Sequence, residues 1–367
     1  MDSVANPVGI RLTGMDVKFH HRVKGEVYAA RDVNITVAPG ELLTLLGPSG
    51  CGKTTSLRVI AGFQKPSAGT VHIGDRDVTN VLANDRDIGF VFQNYALFPH
   101  LNVFENVAYG LRVRSQPQAV LEASVGDILR MVGLAGYERQ MPHQLSGGEQ
   151  QRVALARAIV VKPRVLLFDE PLSNLDAKLR VSMRGEIQSL QKRLGITTVY
   201  VTHDQEEAMA ISDRIVVMNQ GRVVQVGTAG ELYRSPASIF VAGFIGRTNL
   251  LPAVIRGAAG GRLTLDIVGT AHTLDGAQTD LGSGSKVQCV MRPETIGLTP
   301  ESAPGTVPGI VRSRTYLGEK TEYTVEVSRQ QLFVVQFGAD AERFAPGAAI
   351  GVALPVSGVQ VLSGDQS

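Results

Sequence analysis

Two textures divide the chain. In the first, short unbroken apolar runs end in glycine, acid or amide residues: LLTLL at 42–46, GFVFQ at 89–93, VLLFDE at 165–170 and TTVYVTHD at 197–204. Apolar runs of this length are expected of strands buried on both faces of a parallel sheet. ELLTLLGPSGCGKTTSLRVIAG predicts a strand over Leu42–Leu46, a glycine-rich turn, and a helix from about Thr54 that closes near Gly62. From about 94 to 160 helical patterns dominate and separate two halves of that sheet. The second texture follows the hairpin RIVVMNQGRVVQVG, 214–227, and the segment ELYRSPASIFVAGFIG. Short alternating strands and Gly/Pro/Ser turns take over. TEYTVEV turns Tyr323, Val325 and Val327 one way and Glu322, Thr324 and Glu326 the other; SRQQ at 328–331 then reverses the chain into LFVVQF. The expected fold is an α/β domain followed by a small all-β antiparallel barrel.

Composition narrows the role. The 367 residues, 44% of them hydrophobic, are enough for two cores. Lys plus Arg number 36 and Asp plus Glu 34, so the net charge of +2 gives no field that argues for nucleic acid or an acidic membrane surface. Cys51 and Cys289 are the only cysteines and lie far apart, which speaks for a reducing compartment rather than a disulfide framework. No apolar run of about 18 residues could span a bilayer, and the start lacks the pattern of a secretory signal. The expectation is a soluble, cytoplasmic chain; action at a membrane requires another subunit to do the spanning.

Gly47 and Gly52 bracket four residues before Lys53 and Thr54, the spacing of a phosphate-binding loop between strand and helix. Backbone N–H groups of Gly47, Pro48–Cys51 (excepting the proline), Gly52, Lys53, Thr54 and Thr55 are candidates for turning around phosphate oxygens, aided by the helix N-terminus. Within that stretch Ser49, Gly50 and Cys51 are read as loop backbone, Cys51 offering an N–H rather than redox chemistry. Lys53 supplies a cation for the β- and γ-phosphates, and the Thr54 hydroxyl a ligand for Mg²⁺.

A buried parallel strand ending at Asp169 and Glu170 delivers two carboxylates to the edge where active sites lie. Asp169 is assigned to the Mg²⁺ shell and Glu170 to polarising the attacking water as general base. A lone histidine after a strand is more often structural than catalytic, but a parallel sheet places His203 on the same edge as Asp169, near the γ-phosphate. Gln93, after a further apolar run, has a carbonyl able to ligate Mg²⁺ or hold water.

Together these residues resemble the ATP-binding cassette family, the ATPase subunits of transporters. The resemblance covers roughly residues 9–240 and rests on GPSGCGKTT at 47–55, Gln93, LSGGEQQR at 145–152, LLFDEP at 166–171, SNLD at 173–176 and His203, in the family's order. It implies a P-loop NTPase cassette with a RecA-like core and a helical subdomain over about 94–160. It also implies a head-to-tail homodimer, in which LSGGEQ of one chain meets the ATP held by the other. Ser146 would then offer its hydroxyl, Gly147 and Gly148 close backbone approach, and Gln150 a further contact, while the following helix points its positive end at the γ-phosphate. Asp176 would make a cross-interface contact. For adenine stacking the resemblance points to an aromatic shortly before the P-loop: Phe19, with Tyr28 as the alternative, because His20–Lys24 look like extra residues.

The tail, 241–367, resembles the OB-like (TOBE) extension of ATPase subunits from binding-protein-dependent importers for sugars, polyamines, ferric iron and related solutes, with VMRPETIGL at 290–298 as the best local match. It lacks interleaved basic and aromatic residues, so no nucleic-acid partner is expected. The implied assembly pairs the homodimer with two integral-membrane permeases and, indirectly, an extracytoplasmic solute-binding protein, at the cytoplasmic face of the membrane. Leu97 and Phe98 in NYALFPHLNVFENV are candidates either for docking a permease helix or for the domain's own core. GRTNLL and YLGEKTEYTVEV favour the polyamine and ferric-iron branch. The rival is a soluble cassette ATPase acting on ribosomes or DNA, but such proteins usually carry tandem cassettes or a long coiled coil, and neither is present.

Overall fold

The computed structural model describes residues 7–21, 25–275, 282–300, 303, 305–338 and 343–363. Two compact units meet at Ala229 and Gly230. The first runs β1 (Ile10–His21), β2 (Gly25–Val37), β3 (Leu42–Leu46), α1 (Lys53–Ala61), β4 (Ala68–Ile73), β5 (Arg76–Asp77), β6 (Ile88–Val91), α2 (Val103–Val113), α3 (Gln118–Met131), α4 (Gly147–Ile159), β7 (Val165–Asp169), α5 (Ala177–Leu194), β8 (Thr197–Thr202), α6 (Gln205–Ile211), β9 (Arg214–Asn219) and β10 (Arg222–Gly227).

The apolar runs form the centre. Six strands are ordered β10-β9-β3-β8-β7-β6, parallel from β9 to β6, with β10 closing the edge antiparallel. Both faces are covered. Leu42, Leu166 and Phe168 enter a core with α2–α5, while Leu43, Leu45, Val165 and Leu167 face α1 and the antiparallel sheet β2-β1-β4-β5. That two-sided burial explains why these runs do not alternate. Because β3, β8, β7 and β6 are adjacent and parallel, the turns after them emerge side by side at one edge. The β9–β10 hairpin turns through Gln220 and Gly221, both at positive φ, and donates from Gly221 N to the Cys51 carbonyl at 3.1 Å.

The second unit holds most of α7 (Ala229–Arg234), then α8 (Ile239–Phe244) and ten strands: β11 (Asn249–Ala259), β12 (Arg262–Ile267), β13 (Thr270–Asp275), β14 (Lys286–Met291), β15 (Gly297–Pro300), β16 (Val307–Tyr316), β17 (Lys320–Val327), β18 (Gln330–Phe337), β19 (Ala349–Ala353) and β20 (Gln360–Ser363). They make two five-stranded antiparallel sheets over one shared core. In β17 the expected alternation is complete, with Tyr323, Val325 and Val327 fully buried. Its turn is tighter than SRQQ suggests: Ser328 and Arg329, at φ 47° and 68°, make the reversal, and Gln330 and Gln331 already belong to β18.

The residues 230–240 group with this second unit rather than with the cassette to which the 9–240 reading assigns them. Arg292, 5% exposed, accounts for it. Its guanidinium donates to the carbonyls of Tyr233 (2.8 Å) and Ala242 (3.0 Å) and lies 4.0 Å from the Tyr233 ring centroid. Tyr233 in turn donates its hydroxyl to Glu294 at 2.6 Å. The RPET element of the tail is therefore the staple for the helices before it.

Candidate active site

The turn after β3 is shaped by glycines that nothing else can replace. A Cβ at Gly47 would stand 2.3 Å from the Met218 carbonyl oxygen, and one at Gly52, at φ 103°, 2.3 Å from that of Ala29. Gly50 also lies at positive φ, 78°, but faces open space. The close approaches press the loop against β9 and β2. Gly52 caps α1 without a side-chain bond, so the first-turn N–H groups of that helix keep their capacity for an anion. Pro48 is half-buried, Ser49 and Gly50 exposed, Thr54 and Thr55 half-buried.

Lys53 is 5% exposed and its ammonium donates to the carbonyls of Gly47 (2.7 Å) and Pro48 (3.0 Å), which fixes a buried cation inside the cradle. Cys51 turns its N–H to the Pro48 carbonyl at 3.3 Å, and burial pushes its thiol pKa up, so a neutral thiol rather than a nucleophilic thiolate lines the loop. The far end of α1 is held by a residue the sequence pattern did not single out. Arg86, 4% exposed, donates to Val59 and Ile60 carbonyls at 2.7 and 2.8 Å and to Val81 at 2.9 Å. Val59 and Ile60 lie in the helix's last turn, where Val59 also accepts the Gly62 N–H at 3.2 Å.

Across the sheet edge, Thr54 donates its hydroxyl to Asp169 at 3.1 Å. Burial raises the Asp169 carboxyl pKa above its ordinary value, with the Thr54 bond opposing. Glu170 follows at φ 46°, a left-handed conformation that turns its side chain off the strand path; its N–H donates to Val201 at 3.0 Å and its carbonyl accepts from Ser173 Oγ at 2.9 Å. Glu170 Oε2 lies 3.0 Å from His203 Nδ1 and 3.5 Å from Gln93 Nε2. Asn174, from the SNLD segment, donates to the Gln93 carbonyl at 2.9 Å. The structure thus gathers Lys53, Thr54, Asp169, Glu170, Gln93 and His203 at one edge.

Hydroxyl, carboxylate and amide oxygens at Thr54, Asp169 and Gln93 are hard donors of the kind Mg²⁺ takes. Among the described residues no group of three or more His, Cys, Asp or Glu side chains is placed to hold a metal, so such an ion would draw the rest of its shell from phosphate and water.

Among the described residues the signature segment shares no hydrogen bond with this set. Ser146 caps α4 in a capping box: its N–H and hydroxyl both donate to Glu149 Oε2 at 2.7 Å, and Glu149 N returns a bond to the Ser146 hydroxyl at 3.4 Å. Those bonds hold the Glu149 carboxyl below its usual pKa. Ser146 and Gly147 are exposed and Gly148 is buried. Gln150 spends its amide on the Pro142 and Leu145 carbonyls at 3.0 and 3.2 Å, within its own turn. Asp176 is exposed and caps α5 by accepting from Leu179 N at 2.9 Å.

Of the two aromatics, Phe19 is 47% exposed and pairs across β1–β2 with Val27, itself 38% exposed. The Tyr28 ring already carries two cations, Lys18 at 5.0 Å and Arg31 at 4.8 Å. Residues 22–24 of the extra stretch lie outside the described residues.

Residues 30–173 match the family described as ABC transporter, and 289–362 the TOBE domain. The Fe(3+) ions import ATP-binding protein FbpC 1 of Rhizobium meliloti (strain 1021) is 45% identical over 340 residues, 93% of this chain and 95% of that protein. The chain belongs to the ATP-binding cassette family. The spermidine/putrescine import ATP-binding protein PotA of Acidothermus cellulolyticus is 46% identical over 330 residues, 89% of this cassette protein and 86% of its own length. A solved structure described as the dimeric structure of MJ0796, a bacterial ABC transporter cassette, is 32% identical with a TM-score of 0.54, covering 60% of this chain and 98% of that one. This cassette protein is an importer ATPase with a C-terminal TOBE domain. Among its described residues no helix is long and apolar enough to cross a membrane.

Proposed function

We propose that two copies of the chain bind two ATP head to tail, close, and reopen after hydrolysis, driving a pair of membrane permeases that take up ferric iron or a polyamine delivered by an extracytoplasmic binding protein. The cluster of Lys53, Thr54, Asp169, Glu170, Gln93 and His203 at one sheet edge, with Ser146 exposed elsewhere on the unit, carries this reading. Every group needed to bind and cleave is present in one chain except a cover for the phosphate end, and an exposed glycine-rich helix N-terminus is suited to cover another chain's phosphate.

In this reading Lys53 and the loop N–H groups bind the phosphates, and Phe19 stacks on the base. Thr54, Asp169 and Gln93 hold Mg²⁺, which supplies charge neutralisation at the phosphates. A bound cation also offsets the burial that otherwise disfavours the Asp169 carboxylate. Glu170 accepts the proton of the attacking water, and His203 fixes the carboxylate's orientation at the γ-phosphate. Ser146, Gly147, Gly148 and Gln150 complete the partner's site, and Asp176 keeps the two chains in register.

Docking of a permease is supported by an aromatic surface beside Gln93. Phe63 (52% exposed) and Phe92 (37%) stack at 6.1 Å, and Phe98 packs on Tyr109 (44%) at 4.6 Å. The tail, 241–367, serves as a regulatory domain. The relatives named for ferric iron and for spermidine/putrescine import support those two solute classes; pull-down of the permease followed by uptake assays with each solute decides between them.

Mixing two defective chains tests the dimer. Ser146→Arg keeps every ligand of its own nucleotide but blocks the partner's, whereas Lys53→Ala cannot hold a nucleotide. The pair assembles one complete site, so ATPase activity returns in the mixture and is absent from either chain alone. Loss of ATP binding by the folded Ser146→Arg chain would place the signature in cis and defeat the head-to-tail reading.

A further inference from the structure

Arg157 lies on the third turn of the signature helix and hydrogen-bonds the segment that follows Gln93. Its Nη1 donates to the Ala96 carbonyl and its Nη2 to the Tyr95 carbonyl, both at 2.7 Å, and its guanidinium sits 5.5 Å from the Phe98 ring centroid. The planar fork is suited to two neighbouring acceptors in a way that an ammonium is not. Burial lowers the guanidinium pKa from its usual value, as expected for a charge withdrawn from water.

The two residues it holds are strained. Tyr95 and Ala96 are consecutive non-glycine residues at φ 61° and 48°. Such backbone persists where its surroundings enforce it. The strain lies directly after Gln93: Tyr95 N donates to Phe92 at 3.0 Å and closes a turn with Gln93 and Asn94 at its centre. On its other side the turn is tied to the strand edge by Asn174 on the Gln93 carbonyl at 2.9 Å. Beyond Ala96, Asn106 holds Phe98 and Leu101, so the segment is gripped from three directions, one of them α4.

We propose that Arg157 is a positioning residue for Gln93, locking the strained Tyr95–Ala96 backbone so that the turn presents the glutamine side chain to Glu170. The inference rests on the catalytic reading of Gln93 given above. It also gives α4 a second task. Ser146 at its N-cap and Arg157 are eleven residues apart, about 16 Å along one rigid helix, so the segment offered to a partner and the segment that sets Gln93 belong to one body.

The test is a double-variant cycle in the full-length protein. Arg157→Lys keeps the stem and charge but cannot bridge both carbonyls; Arg157→Gln, which can donate to one, is the second variant should the first fold poorly. The expected result is a fall in kcat of about tenfold with ATP affinity within about twofold of the parent. Arg157→Lys/Gln93→Ala should be no slower than Gln93→Ala alone. In the nucleotide-free chain, hydrogen exchange at the Tyr95 and Ala96 amides should quicken about tenfold while the amides of α4 stay protected. Multiplying losses in the double variant, or unchanged exchange at Tyr95 and Ala96, would overturn the proposal. Wild-type turnover by Gln93→Ala would instead remove the reading beneath it, and a slow Gln93→Ala beside a fully active Arg157→Lys would remove only the role of Arg157.

Discussion

His203 Nδ1 stands 3.0 Å from Glu170 Oε2, each residue lying just past the end of one of two neighbouring parallel strands. The imidazole is 58% exposed and the carboxylate 20%, so the pair borders the open side of the site rather than a sealed core. Sheet geometry enforces the distance: β7 and β8 are in register to Asp169 opposite Val201, and the positive φ at Glu170 swings its side chain toward the β8 end.

Removing the charge from Glu170 separates binding from chemistry. Glu170→Gln retains the shape of the carboxylate and the bonds to its neighbours, so ATP binding should persist while phosphate release falls about 100-fold or more. The ATP-loaded variant should accumulate as a dimer on size-exclusion chromatography. His203→Ala should lower kcat with little change in nucleotide affinity, since the ring touches Glu170 and not the cradle. Equal turnover by parent and Glu170→Gln would assign the base elsewhere.

Phe19 and Tyr28 make opposite predictions for nucleotide affinity. Phe19 has an open ring face, whereas Tyr28 is engaged by Lys18 and Arg31. If base stacking falls to Phe19, Phe19→Ala should weaken ATP binding about tenfold, within the range of a lost base–aromatic stack. Tyr28→Leu should leave it within about twofold. Titration with a fluorescent ATP analogue distinguishes them, and the reverse order would transfer the role to Tyr28.

The sequence pattern carries the strands and the P-loop because each is encoded locally: a run buried on both faces shows no apolar–polar alternation, and a loop that meets Met218 and Ala29 carbonyls tolerates only glycine. It does not carry Arg86, Arg157 or Arg292. Each reads as an ordinary polar residue, and each acts by reaching carbonyls far away in sequence. The unit boundary is hidden for the same reason. Residues 230–240 share the helical texture of the cassette, and what attaches them to the tail is reached only in three dimensions: the bonds of Tyr233 to Arg292 and Glu294, and Ile239 packed with Val290 and Leu362. The choice between Phe19 and Tyr28 is open in the sequence because the extra residues His20–Lys24 blur the spacing, and the pattern does not show that Lys18 and Arg31 flank the Tyr28 ring.

Behind His203, Glu207 is 4% exposed and accepts from Thr202 Oγ1 at 2.6 Å and from the Tyr200 hydroxyl. Burial raises its carboxyl pKa above the usual carboxylate value. An acid raised in this way keeps its proton in the folded state at pH values where the unfolded chain has lost it. Unfolding then releases a proton, and this group's contribution to stability falls as pH rises from the unfolded value through the folded one. Glu207→Gln, whose carbonyl can accept from one of the two hydroxyls while its amide N–H donates to the other, should remove that slope. Urea midpoints at about pH 5 and about pH 7 should differ less in the variant than in the parent; an unchanged difference would mean that Glu207 titrates normally.

Arg86 fixes the end of the P-loop helix opposite the phosphates. Its guanidinium meets the carbonyls of Val59, Ile60 and Val81, and Gly62 is glycine at φ 82° because a Cβ there would stand 2.6 Å from Arg86 Nε. A cation at a helix C-terminus also opposes the negative end of the macrodipole. Arg86→Met keeps the apolar stem but takes their donor from the buried Ile60 carbonyl and the half-buried Val81 carbonyl, at a cost of about 2 kcal/mol. A shift of that size lowers the urea midpoint visibly without changing the slope of the transition. The functional consequence follows from geometry. Lys53 begins α1 and bonds the loop carbonyls of Gly47 and Pro48, so a helix loosened at its C-terminal end presents its N-terminus less rigidly. ATP affinity should therefore fall several-fold in Arg86→Met under conditions where the variant remains fully folded, because ordering the helix end is then charged to binding. A variant that loses stability and keeps parental ATP affinity would confine Arg86 to the fold and separate the helix cap from the phosphate cradle.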